Sequence, residues 1–279
     1  MIRAKQNTPY PLDKRKLPKM RRSFVLIMDI LGFSNLIMSS ENRQQLLERF
    51  WKDANHIINE LKPSSVAPEV FSFKAYVDNV LLAYPIDSVP PWDSEPYYGF
   101  ITLDAAWYQL NFAARGWFVR GAITVGDVFV GENMVFGAPI IEAHRLESKT
   151  AKYPRIILSN DVVDMARDHL QFYKSGCAPH IQSLLVDEKG VTFLNYLNLA
   201  YDGSVEPEEA HEILKRHKER IENNLALNNT GVAKDEGVLK KYRWLARYHN
   251  SVINIQGNIQ KEHRIPNCKK LPLRQFGNE

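Results

Sequence analysis

Cysteine is scarce in this chain, with Cys177 and Cys268 the two among 279 residues. They stand far apart, match no CxxC metal or redox spacing and build no disulfide framework, so a reducing cytoplasm is the expected compartment. Long apolar runs are also missing. The most apolar early run, Phe24 to Met28, ends at Asp29, well short of the ~18 to 20 residues that a membrane span needs. No signal peptide is expected either, because the basic start leads into no apolar core with a small-residue cleavage site. The chain lacks a Gly-x-x-x-x-Gly-Lys-Ser/Thr phosphate loop, a Gly-x-Ser-x-Gly elbow and a His-Glu-x-x-His pair. Its eight histidines are scattered, and the spacing marks no ligand cluster, so each reads as structural or exposed.

What is present is an ordinary globular composition: 44% hydrophobic, 24% charged, net charge +4. Such a chain buries a sizeable core, which excludes wholesale disorder and fibrous folds. Residues 1–22 carry Arg3, Lys5, Lys14, Arg15, Lys16, Lys19, Arg21 and Arg22 against Asp13 alone, with prolines at 9, 11 and 18. This reads as a flexible basic arm, a solvated tail or a strap over a partner subunit. Without aromatic interleaving it disfavours nucleic acid as a partner.

From Ser23 the pattern turns regular. Phe24–Met28 suits a strand buried on both faces, and residues 34–61 show helical spacing with a break near Ser39-Ser40. Two β-prone runs, 70–77 and 80–84, flank Asp78-Asn79 as a hairpin with Asp78 at its tip. A helix follows over 97–115, then a second hairpin pair, 117–125 and 128–136, then a helix over 139–149 and a short strand at 155–158. A strand pair is expected around 182–197. The order β-α-β-β-α-β predicts an α+β, ferredoxin-like domain over 23–200. Residues 201–279 read as a helical extension, with stretches 207–227 and 235–255 broken at Asn228-Asn229-Thr230-Gly231. Trp244, Leu245 and Tyr248 form one apolar helix face within it.

Two isolated carboxylates end apolar strands, Asp29 and Asp78. The outer strands of a β-α-β-β unit pair in mid-sheet, so the two side chains converge. Facing carboxylates repel unless a cation lies between them, and hard oxygen donors suit Mg²⁺ or Mn²⁺, as in two-metal phosphoryl chemistry. On spacing alone, an acidic residue that ends a strand is more often a turn or helix cap than a metal ligand.

The segment Phe24-Val-Leu-Ile-Met-Asp29-Ile-Leu-Gly32-Phe33 resembles the first metal motif of class III nucleotide cyclases, and Phe73-Lys74-Ala-Tyr-Val-Asp78 resembles the second. Arg120-Gly-Ala-Ile-Thr-Val-Gly126-Asp-Val-Phe-Val-Gly131, Phe136-Gly137, Ala143-His-Arg145-Leu146-Glu147-Ser148 and Ile157-Leu158-Ser159 follow in the family's order. The likeness covers about residues 23–165. It implies that Asp29, Asp78 and the carbonyl of Ile30 hold two Mn²⁺ or Mg²⁺ ions per site. It implies further that Arg145 stabilises charge on the α-phosphate from a second subunit, giving a homodimer with shared sites, and that Phe33, Lys74 and Met134 contact the nucleoside triphosphate. Two positions depart from the family. Ile141 replaces a ribose-orienting asparagine, and Met134 replaces the polar partner of the adenine amine, which a thioether serves poorly.

Size, basic start, altered base-reading pair and the tail motif Lys241-Tyr-Arg-Trp-Leu-Ala-Arg-Tyr-His-Asn250 resemble the pyrimidine cyclases of the bacterial antiphage system called Pycsar. That likeness implies conversion of UTP to cyclic UMP, or of CTP to cyclic CMP, with the product acting on a separate effector protein. A degenerate cyclase fold that binds a nucleotide or a partner is the alternative.

Overall fold

Six consecutive side chains, Ser23 to Met28, are buried in strand β1 (Arg21–Ile30), as the continuous apolar run demands. Their alternation feeds two layers, with Val25 and Ile27 on one face and Phe24, Leu26 and Met28 on the other. Each fully buried Leu or Phe contributes about 1.5–3 kcal/mol, so both faces must be covered. The computed structural model describes residues 9–60, 72–76, 79–86, 94–173, 178–230, 236–256 and 261–277.

Along the chain follow α1 (Phe33–Ser39), α2 (Arg43–Glu60), β2 (Ser72–Tyr76), β3 (Asn79–Pro85) and α3 (Glu95–Ala114). Next come β4 (Val119–Val130), β5 (Val135–Phe136), α4 (Ala138–Lys149), β6 (Ile156–Leu158), α5 (Asn160–Leu170) and α6 (Pro179–Ser183). Then β7 (Leu184–Val186), β8 (Thr192–Leu194), α7 (Pro207–Thr230), α8 (Glu236–Gln256) and β9 (Arg274–Gln275) complete the described elements. The fold is α+β with a mixed sheet in the order β2-β3-β1-β4-β6-β8-β7-β9, and β5 pairs with the end of β4. All neighbours are antiparallel except β4 and β6. No described helix is long and apolar enough to cross a membrane.

One face of the sheet packs on α3 through Tyr98, Ile101 and Tyr108, with Ile57 of α2 and Val162 of α5 beside them. The other takes Ala143 of α4, Leu214 and Ile221 of α7, and Leu245 and Tyr248 of α8. Helix α3 also gives Ala106, Leu110 and Ala113 to this second cluster and touches α7, so it is apolar nearly all round.

Three readings need correction. The second hairpin is not a hairpin, because β4 runs unbroken through Gly126-Asp127 and only the short β5 folds back on it. Gly126 has φ 153°, and a Cβ there would meet Pro139 Cγ at 2.8 Å, so this glycine bends a strand under α4 instead of turning it. The arm is anchored from residue 9: Tyr10 is buried, donates to Ser23 Oγ at 2.7 Å and meets Phe129 edge-on. Helix α7 continues through Asn228 and Asn229, and the tail adds β9 to the edge of β7.

The tail is tied in by imidazoles. His217 of α7 and His249 of α8 stack at 5.1 Å with their Nδ1 atoms 3.0 Å apart. Nε2 of His249 lies 2.7 Å from the carbonyl oxygen of His263, which only accepts, so that nitrogen carries the proton. The Nδ1 of His249 then accepts from His217, whose Nε2 accepts from the Tyr196 hydroxyl at 2.6 Å. Such a chain requires neutral rings. Burial supplies them, holding His249 at about 4 and His217 well below the usual imidazole range.

Candidate functional site

The exit of β1 gathers the first group of candidate residues. Asp29 faces Asn79 on β3 and Arg120 on β4. Asp78, which adjoins Asn79, lies outside the described residues. Arg120 Nε and Nη2 donate to Asp29 Oδ2 at 3.1 and 3.0 Å, and Nε is also 2.7 Å from Glu147 Oε1. The Glu147 side chain is 2% exposed and Asp29 15%, so one guanidinium neutralises two sheltered carboxylates. Asp29 provides a hard carboxylate and Ile30 a strand-end carbonyl. A carboxylate has lone pairs for more than one partner, so these are hard oxygen donors of the kind a divalent ion takes, with the Arg120 guanidinium bound to the same carboxylate.

Gly32 follows with φ 75° and accepts from Leu36 N–H at 3.0 Å, opening α1 through a left-handed turn that favours glycine. Phe33 is buried against Phe50 and Trp117, with ring centroids 4.6 and 6.1 Å away. A cleft of about 820 Å³ opens beside this turn, lined by Ile30, Gly32 and Phe33 on one side. Arg49, Arg220 and Lys241 bring three cations to the same cleft from α2, α7 and α8. The Arg49 guanidinium rests 4.8 Å over Trp117.

The other candidates lie elsewhere. Arg145 is two residues from Glu147, hence about 200° around α4, and lines a polar cleft of about 640 Å³ with Asp161, Asp164 and Arg167. Met134 is 51% exposed in the turn before β5, which pairs with Val130. Ten residues of β4 separate Val130 from Arg120 opposite Asp29, a span of about 33 Å. Lys74 sits on β2 across from Leu81, and its side chain is outside the described residues. One chain therefore brings Asp29, Ile30 and Phe33 together and leaves Arg145 and Met134 apart from them.

Arg120, Glu147, Arg49 and Arg220 were not singled out from sequence. Arg120 and Glu147 stand inside the segments 120–131 and 143–148 without a role of their own, and nothing local marks Arg49 or Arg220. Away from this exit, burial raises the Asp104 carboxyl of α3 to about 6 although the Tyr84 hydroxyl donates to it.

No family model matches the chain, and no curated protein does. A solved structure of a class III adenylyl cyclase-like ATP-binding protein from Pseudomonas aeruginosa is similar at 13% identity, with a TM-score of 0.43. The match covers 70% of this chain and 41% of that one, so the chain spans about two fifths of that protein's length.

Proposed function

We propose that the chain is a nucleotide cyclase that converts UTP to 3′,5′-cyclic UMP and pyrophosphate, with CTP to cyclic CMP as the alternative substrate. The observation that carries this reading is the β1 exit, where Ile30, next in sequence to Asp29, lines a cleft furnished with Arg49, Arg220 and Lys241. Such cations suit a triphosphate. The sheet order β2-β3-β1-β4 is taken as the ferredoxin-like frame. Asp29, the carbonyl of Ile30 and Asp78 would hold two Mn²⁺ or Mg²⁺ ions. Bound there, the ions supply Lewis-acid neutralisation of the triphosphate and ease ionisation of the ribose 3′ hydroxyl. That oxygen attacks the α-phosphorus, its proton leaves to solvent, and the bond to pyrophosphate breaks.

Arg120 fixes the orientation of the Asp29 carboxylate through its two bonds. Arg145 stabilises charge developing on the α-phosphate. Because Arg145 and Met134 lie away from Asp29 within one chain, a complete site takes them, with Lys74, from a second copy in a head-to-tail homodimer. Met134 offers the base only a weak acceptor, which disfavours adenine. Phe33 supports the cleft from beneath through its aromatic stack. The cyclic product signals to a separate effector in antiphage defence.

A second reading, a non-catalytic nucleotide-binding protein, draws on the Arg120 pair at Asp29 and on Ile141, 73% exposed where the family carries asparagine. The test is incubation of the purified chain with ATP, GTP, CTP and UTP separately and Mn²⁺, with mass detection and Asp78→Ala and Asp29→Asn alongside. A cyclic pyrimidine nucleotide from the wild type alone supports the first reading and names the base. Mn²⁺-dependent nucleotide binding without any cyclic product overturns it in favour of the second.

A further inference from the structure

Histidines that look scattered in sequence meet in pairs in space, and one such pair is joined by a carboxylate. His211 lies early in α7, and Glu262 and His263 lie in the 3₁₀ turn Lys261–His263 that follows α8. Nε2 of His263 is 3.1 Å from Nδ1 of His211, which is 3.7 Å from Glu262 Oε1, and the three ligand atoms fall within 4.8 Å of one another. A tetrahedral Zn²⁺ with bonds of about 2.0–2.1 Å spaces its ligands by about 3.3 Å. Side-chain shifts of under ~1 Å would bring this trio to that geometry.

We propose that His211, Glu262 and His263 form a transition-metal site, suited to Zn²⁺, that clips the turn after α8 onto α7. The reading is independent of the nucleotide chemistry. Its ligand-bearing turn is set in advance by two backbone bonds: the His263 carbonyl accepts from His249 Nε2 at 2.7 Å, and the Glu262 carbonyl accepts from Lys218 Nζ at 2.7 Å. The first of these anchors the turn to the neutral imidazole chain that ends at Tyr196, a pre-organised support of the kind metal sites use. His263 is buried and fixed, whereas the side chains of His211 and Glu262 are 40% and 63% exposed, leaving an entry path and a fourth position for water.

Donor chemistry sets the selectivity. Two imidazoles and one carboxylate favour Zn²⁺ over Mg²⁺ or Ca²⁺, which prefer all-oxygen sets. Net charge does not draw the ion, because the same cleft carries Lys215 and Lys218 beside Glu219 and Glu222.

The test uses the full chain stripped with chelator and titrated with Co²⁺ and then Zn²⁺. Expected are the intense visible bands of four-coordinate Co²⁺ at one equivalent per chain, distinct from the weak bands of Co²⁺ held by oxygen donors at Asp29, and their loss as Zn²⁺ displaces it. Because their side chains are exposed, His211→Ala and Glu262→Gln should stay folded by circular dichroism. His211→Ala should lose the bands and bind Zn²⁺ at least about tenfold more weakly, the least that loss of even an outer-shell partner costs. His56→Ala, which removes an exposed imidazole of α2 away from this turn, should bind as the wild type does. Absence of the four-coordinate bands, bands that survive His211→Ala, or bands abolished by His56→Ala would each overturn the proposal.

Discussion

Replacement of Arg120 by methionine tests the electrostatic centre of the sheet. The guanidinium hydrogen-bonds Asp29 at 3.0 Å and lies in ion-pair contact with Glu147 at 2.7 Å, and Glu147 is 2% exposed. Removing one partner of a buried ion pair costs about 3–5 kcal/mol because the remaining charge stays in a poor solvent. Glu147 bears that cost nearly in full. Asp29 at 15% and Arg120 at 23% exposure keep some water, so about 3 kcal/mol is expected for Arg120→Met. This is a large share of the roughly 5–15 kcal/mol that holds a domain together. Urea unfolding followed by far-ultraviolet circular dichroism gives the loss directly. Adding Glu147→Gln to Arg120→Met should recover part of it, with a coupling energy of about 1–3 kcal/mol. A loss under about 1 kcal/mol, or single-variant effects that simply add, would refute the view that Arg120 compensates a buried carboxylate.

Asp104 titrates at about 6 through burial, against 3.8 in the unfolded chain. The folded state therefore holds a proton that the unfolded state releases earlier, so its contribution is complete below pH 4 and fades as pH rises through 6, by on the order of 3 kcal/mol. Asp104→Asn should flatten the thermal midpoint between pH 4.5 and 8, and an unchanged slope would exclude Asp104 as its source. Gly121 faces Met28 across β1 and β4, and a Cβ there would meet Ile27 O at 2.4 Å. Because that atom is backbone and cannot rotate away, Gly121→Ala should cost about 3 kcal/mol in urea unfolding, the upper end of overpacking; a change under 1 kcal/mol would contradict the close strand approach.

What could be read from the sequence divides along a physical line. Asp29 stood out because an acid ending a buried run is a local pattern, and the Trp244, Leu245 and Tyr248 face was visible because helical spacing is local too. The partner of Asp29 was hidden, since Arg120 lies 91 residues away and meets it only through the register of β1 against β4. Glu147 stands two residues from Arg145 in one short segment, yet the turn of α4 sends the two side chains to opposite sides. Gly126-Asp127 carries the signal of a hairpin turn, and Pro139 packed over that glycine overrides it. His211 and His263 are 52 residues apart and share no motif. Their meeting depends on α7 and α8 folding back together, a tertiary event driven by the burial of Leu214, Ile221, Leu245 and Tyr248 rather than by anything near either imidazole. The same cause governs the cationic cleft: Arg220 and Lys241 reach Gly32 only because those two helices cover the sheet face next to the β1 exit. A tail that reads as an appendage in sequence thus completes the wall of the candidate site.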